Sequence, residues 1–193
     1  MQRALSRAAV GAMLILSVGA ISACSDDDDD PVSPQEVTTQ VINSIQSDAH
    51  IMGVLHESNL GEIDAGGLAV QRASDAEVKA FAAMMVADHT TLDATGTALA
   101  TQLGVTPAVP NDVLPDQQDR EMSQLSLVTG NTFDKNYIAQ QVTAHTRTLA
   151  IVDASIAEAQ QAALRTLLQS QVRVRVAAHL AQAQQIATRI GNP

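Results

Sequence analysis

Four stretches of this chain repeat apolar residues at the i, i+3, i+4, i+7 spacing of a single helix face, and each stripe is broken by an ionisable side chain. Helix one carries Ile51, Leu55, Ser58, Glu62 and Ala69; helix two carries Val78, Phe81, Met85, His89 and Leu92. Helix three carries Ile138, Val142, His145, Leu149 and Val152, and helix four carries Val172, Val176, His179, Ala183 and Ile186. Four amphipathic helices, each with a metal-ligand type of residue on its core face, restrict the chain to a bundle with a polar layer. Aromatic residues barely contribute: the chain has 2 Phe, 1 Tyr and no Trp. A core of Ala, Leu, Val, Ile and Met favours close helix packing over a sheet.

The level of the polar residues follows from the helical rise. Measured from a turn near Ser74, Glu62 and His89 differ in height by about 4–5 Å; from a turn near Gln161, His145 and His179 differ by about 3 Å. Both pairs therefore sit near mid-helix. An inward polar group left unpaired costs roughly 1–3 kcal/mol, so these four need each other, water or an ion.

Boundary signals give the connections. Helix one is predicted from Ser44 or Ser47 to Arg72, with Ser47 or Asp48 as its cap. Ser74 and Glu77 have the spacing of a capping box for helix two, which ends near Leu103-Gly104 ahead of Pro107. A link containing Pro110 and Pro115 follows, with a short helix over Asp116–Val128 that places Met122, Leu125 and Val128 on one side. Helix three begins near Thr132 and runs to about Glu158 or Gln160; helix four spans about Ala162–Arg189. Short turns within each pair and a long link between the pairs give two hairpins joined by one crossover. That is the all-α, ferritin-like four-helix arrangement, with an extra short helix in the crossover; a simple up-down bundle is the other topology these lengths permit.

The ends have a different character. Arg3 and Arg7, the apolar run Val10–Ile21 and Ile21-Ser22-Ala23-Cys24 have the layout of a bacterial lipoprotein signal over 1–23, with Cys24 lipidated. The apolar run is shorter than the roughly 20 residues that span a bilayer. Cys24 is the only cysteine, so the domain has no disulfide. Residues 24–43 hold Asp26 to Asp30 and two prolines and read as a disordered acidic tether, leaving 44–193 as the folded domain. The same acidic run after Cys24 also resembles the surface-export signal of some outer-membrane lipoproteins. The formal net charge is −10, and −12 once Arg3 and Arg7 are removed. Nucleic acid is thus an unsuitable partner, whereas a membrane reached through the lipid on Cys24 is expected. The location expected is the cell envelope, at the outer membrane, facing the periplasm or the surface.

Several segments resemble one family: Gly61-Glu62 with Gly67-Leu68-Ala69-Val70, Glu77-Val78-Lys79-Ala80-Phe81-Ala82, Met85-Val86-Ala87-Asp88-His89, Gly130 to Tyr137, Gln141 to His145, and Ala178-His179-Leu180. The chain resembles domain-of-unknown-function family 4142 over about residues 48–190. The resemblance implies an exported or lipid-anchored bacterial protein with a ferritin-like bundle, and implies no activity. Where family members carry prolines before the last His, this chain has Val172-Arg173-Val174-Arg175, which predicts a straighter helix four.

Glu62, His89, His145 and His179 are the candidate ligands of one metal ion, with Asp153 as a supporting partner. Val86 and Val176 stand where a di-iron site would need Glu-x-x-His pairs. Three imidazoles and one carboxylate suit zinc, copper(II) or iron(II). The competing reading is an ion-free network of core histidines that fixes helix register. His50 and His56 read as rim residues, Met84, Met85 and Met122 as packing residues, and Arg173 and Arg175 as solvated surface. The function expected is non-catalytic binding in the envelope. The alternatives are a metal-dependent oxidoreductase or ferroxidase-like stress enzyme and a purely structural surface module.

Overall fold

The computed structural model describes residues 33–191. The lipoprotein signal, Cys24 and the acidic run lie outside the described residues. Among those described the protein is all-α, with six helices and no strand. They are α1 (Pro34–Ser44), α2 (Asp48–Arg72), α3 (Ala76–Leu103), α4 (Val113–Ser126), α5 (Gly130–Glu158) and a last helix in three contiguous parts. That helix comprises α6 (Ala162–Leu167), a π turn (Leu168–Val172) and α7 (Arg173–Arg189). None of the described helices is long and apolar enough to cross a membrane.

The first correction concerns the tether expected over 24–43. Pro34–Ser44 is helical: Ser33 and Glu36 form a capping box, Pro34 occupies the first turn, and Val37 and Val41 are buried at one-turn spacing. α1 packs on α5 and α4, so the fold begins near Ser33 and not at Ser44.

Other boundaries moved for local reasons. Ser47 caps α2 as expected, accepting from the His50 amide. Asp75, not Ser74, caps α3: its carboxylate accepts from Glu77 N and Val78 N. Gly104 closes α3 in the left-handed conformation with φ 65°, as expected for a glycine at that site. α4 starts at Val113, before Pro115, because a proline in the first turn removes an N–H that would have no helical partner anyway. α5 starts at Gly130, slightly before Thr132.

α2 lies along α3, and α5 lies along α7, as two hairpins; α4 rests on α2 and α5. Each hairpin's turn is clamped by the other hairpin. Asp134, near the start of α5, accepts from Ser74 N and Asp75 N, both at 2.9 Å. Asp48, at the start of α2, accepts from Gln160 N at 2.8 Å and Gln161 N at 2.9 Å. Both aspartates are buried, and two amide donors apiece satisfy the carboxylates there.

The apolar core falls into two clusters. One gathers Val37, Val41, Ile51, Val54, Leu92, Ile151, Leu164 and Val176; the other gathers Ala69, Phe81, Met85, Leu125, Phe133, Tyr137, Ile138 and Ile186. Along each long helix the cluster changes across the candidate ligands: from Val54 to Ala69 on α2, Leu92 to Met85 on α3, Ile151 to Ile138 on α5 and Val176 to Ala183 on α7. The polar layer thus separates two dry ends.

α2 faces the core at a slightly different angle from the expected stripe, with Asn59 buried and Ser58 only partly so. Close glycine packing sets that angle. A Cβ on Gly66 would come within 2.9 Å of Val86 Cγ2, and one on Gly53 would strike the Ala108 carbonyl.

Candidate metal centre

Three helices deliver the histidines to the middle layer: α3 brings His89, α5 brings His145 and α7 brings His179. All three are at least 97 % buried. Their ring centroids form a near-equilateral triangle with sides of 5.8, 5.3 and 5.4 Å. One ring nitrogen from each lies within 4.8 Å of the others.

What the rings can do there depends on where their protons are, and their outer edges decide that. His145 Nδ1 is 2.9 Å from the Gln141 carbonyl. A carbonyl only accepts, so Nδ1 carries the hydrogen, and the neutral form of the ring has its lone pair on Nε2. His179 Nε2 donates to Asp88 Oδ2 at 2.9 Å, which leaves the lone pair on Nδ1. His89 Nδ1 donates to Asn59 Oδ1 at 2.9 Å, which leaves it on Nε2. These three remaining atoms, His89 Nε2, His145 Nε2 and His179 Nδ1, are buried with no hydrogen-bond partner. A hydrogen-bonded outer edge and a bare inner nitrogen is the disposition of metal-ligating histidines.

Burial keeps the lone pairs of His89 and His179 available. Burial, followed by the neighbouring His145, His179 and Arg175, pushes the His89 pKa down to about 2. Burial also lowers that of His179, against the opposing pull of its bond to Asp88. Protonating either ring would place a charge in the buried layer. Hydrogen bonds to protein groups account for the outer edges only. The three nitrogens turned toward one another have no hydrogen-bond donor, and a cation would be a partner for all three. His89, His145 and His179 could therefore hold a metal ion.

Glu62 is placed differently from the sequence expectation. Its Oε1 lies 3.7 Å from His145 Nδ1, on the hydrogen-bonded edge of that ring, and its Oε2 accepts from Gln141 Nε2 at 2.7 Å. It stands behind His145 and is not a member of the three-nitrogen group. Asp153 is not a supporting partner either: it is half exposed and pairs with Arg173, Nε to Oδ1 at 2.6 Å. Its expected role belongs to Asp88, which also accepts from Arg175 Nη1 at 2.9 Å. Arg173 is at the surface as expected, whereas Arg175 is tied into the site's flank.

Sequence reasoning missed Asn59, Asp88 and Gln141. Asp88 adjoins His89 in sequence but projects from the neighbouring flank of α3, within reach of His179 because an imidazole extends well beyond its own helix. Asn59 lies one turn before Glu62, and its polar amide on a core face was the available signal. His50 and His56 are at the rim: His50 Nδ1 meets Gln46 N at 3.3 Å, and the exposed His56 pairs with Asp93 at 2.6 Å. Helix four carries a π turn at Leu168–Val172 that leads directly into the segment bearing His179, a feature often found beside functional sites.

A family model for a domain of unknown function, DUF4142, matches residues 33–186. The chain belongs to the DUF4142 family. No curated protein and no solved structure matches it. The DUF4142 match begins at Ser33, the cap of α1, so the family boundary and the first described helix coincide. All three histidines and all three of their outer-edge partners fall inside it.

Proposed function

We propose that this DUF4142 protein binds one divalent transition-metal ion through His89 Nε2, His145 Nε2 and His179 Nδ1, without turning over a substrate. We further propose that it carries the ion at the bacterial cell envelope, anchored through a lipid on Cys24. The observation behind the metal is the convergence of three buried lone pairs with no donor among them. Neutral imidazoles suit zinc, copper(II) or iron(II). The Ile21-Ser22-Ala23-Cys24 sequence supports the anchor. Two hairpins joined by the long link over 104–129 support a ferritin-like connection.

The mature protein, purified in mild detergent without a histidine tag, is the material for the test. Elemental analysis and titration calorimetry are expected to give about one equivalent of metal, lost when any of the three histidines becomes alanine. Failure to bind zinc, copper(II) and iron(II) near neutral pH would sink the reading. For the anchor, Cys24→Ala is expected to leave unprocessed or released protein, and unchanged membrane fractionation and mass would refute it. Three protein ligands would leave a coordination position open, where a redox-active ion such as iron(II) or copper(II) could take oxygen or peroxide. An oxidoreductase is the second reading on that ground; turnover of peroxide or iron(II) by the loaded protein would establish it.

A further inference from the structure

A cavity of about 310 Å³ opens between α2, α4 and α5. Its wall includes Glu57, Glu62, Asp64, Asp119, Glu121 and Arg147. Arg147 Nη1 bonds Glu121 Oε1 at 3.2 Å, which leaves four carboxylates with no cation among the residues lining the cavity. Gln141, also in the wall, is 3 % exposed. The carboxylate of Glu62 fixes its amide nitrogen, so the other end is the carbonyl, and that buried Oε1 has no hydrogen-bond partner. The chamber therefore offers acceptors in excess and calls for a ligand that is cationic and rich in donors.

Its far wall adjoins the outer edge of one histidine, His145. Glu62 and Gln141 line the cavity and also meet the outer edge of His145, Glu62 at 3.7 Å and the Gln141 carbonyl at 2.9 Å. We infer that this cavity is the uptake vestibule through which a hydrated divalent cation reaches the three histidines. The inference rests on the metal reading above. Six waters occupy roughly 180 Å³ at about 30 Å³ each, so a hexahydrated ion fits. The waters of such an ion donate hydrogen bonds, and carboxylates and the Gln141 carbonyl accept them. A cleft lined by one sign of charge concentrates counter-ions and speeds their capture by roughly 10–10³-fold, an effect that salt abolishes.

Stopped-flow uptake of cobalt(II), followed by its visible absorption, tests this on the mature protein in detergent. The paired change Glu57→Gln with Asp119→Asn is expected to slow uptake about tenfold at low ionic strength and to flatten its salt dependence. Final occupancy should be unchanged, since neither residue touches a histidine. Asp153→Asn with Glu158→Gln removes equal charge elsewhere and is expected to leave the rate within about twofold, because neither residue lines the cavity. Equal slowing by both pairs, or none by the first, overturns the vestibule while one-equivalent binding by the wild type still upholds the histidine site. No cobalt uptake by the wild type overturns both.

Discussion

The hairpin of α2 and α3 and the hairpin of α5 to α7 are built on one plan and diverge where the chemistry lies. One offset relates the clamps: 134 minus 48 and 159 minus 73 both give 86, pairing Asp48 with Asp134 and the buried turn residues Ala73 with Ala159. The same offset pairs Val78, Phe81 and Ala82 with Leu164, Leu167 and Leu168, all buried. From the last residue of the π turn onward the offset rises by one, so Met85 pairs with Val172, His89 with Val176 and Leu92 with His179. Asn59 pairs with His145. The apolar frame is thus repeated, but the histidines occupy non-equivalent positions, one from the first hairpin and two from the second. A scaffold that repeats has been given a site that does not.

The clamps give the sharpest test of the common plan. Asp48→Ala and Asp134→Ala each strip two turn amides of a charged acceptor, and bonds to charged groups contribute about 1.5–3 kcal/mol each. Each variant is expected to lose about 3–5 kcal/mol in urea unfolding, and the two losses should match within about 1 kcal/mol. A silent variant at either position would break the comparison.

Removing residues up to 43 probes what only one half possesses, since α1 packs on α5 and α4. Loss of the burial of Val37 and Val41 is expected to cost about 3 kcal/mol. Hydrogen exchange should rise in α5 more than in α3; uniform exchange would show that α1 supports both halves equally.

Asn59 and Asp88 are the outer-edge partners that hold His89 and His179. Asn59→Ala and Asp88→Asn are each expected to weaken zinc binding about 10–100-fold by calorimetry, the usual cost of losing such a partner. Asp153→Asn should leave affinity unchanged, and an equal loss there would restore the role first expected for it.

Acidification has the smallest effect per step. His89 is held neutral in the fold, with a pKa near 2, and titrates near 6.5 when unfolded. The unfolded chain therefore binds the extra proton as pH falls, so stability is complete above about 6.5 and is lost progressively below it. Between about pH 6.5 and 5, before ordinary carboxylates titrate, the metal-free protein should lose up to about 1.4 kcal/mol per pH unit from His89. His179, lowered in the same direction, adds to the slope. His89→Gln should flatten the urea-midpoint profile in that window, and an unaltered slope would show that the ring is not held neutral.

How much could be read in advance differs between scaffold and site. The four long helices, their short turns and the short helix between the hairpins were legible, because period-3.6 stripes and cap residues act locally. α1 was not, although Ser33, Glu36, Val37 and Val41 spell a capped amphipathic turn; the neighbouring aspartates drew the boundary too far along. The three histidines were legible as polar breaks in apolar stripes. Glu62 was misplaced because glycine packing sets the rotation of α2, and a turn of that helix decides whether a side chain meets the inner or outer edge of His145. Asp88 was missed because it lies about 100° around α3 from His89, off the expected core face, yet its partner reaches it from α7.

The crossed clamps also bear on the order of folding. Gln160 and Gln161 stand 112 and 113 residues from Asp48, and Ser74 and Asp75 stand 60 and 59 from Asp134. Helical bundles usually fold fast because their contacts are local, but these four bonds form only after long loops have closed. Neither hairpin can finish its own bend until the opposite one docks, so the halves are poor candidates for independent foldons. Substitutions at Asp48 and Asp134 should then register mainly in the unfolding rate, the signature of contacts made after the transition state.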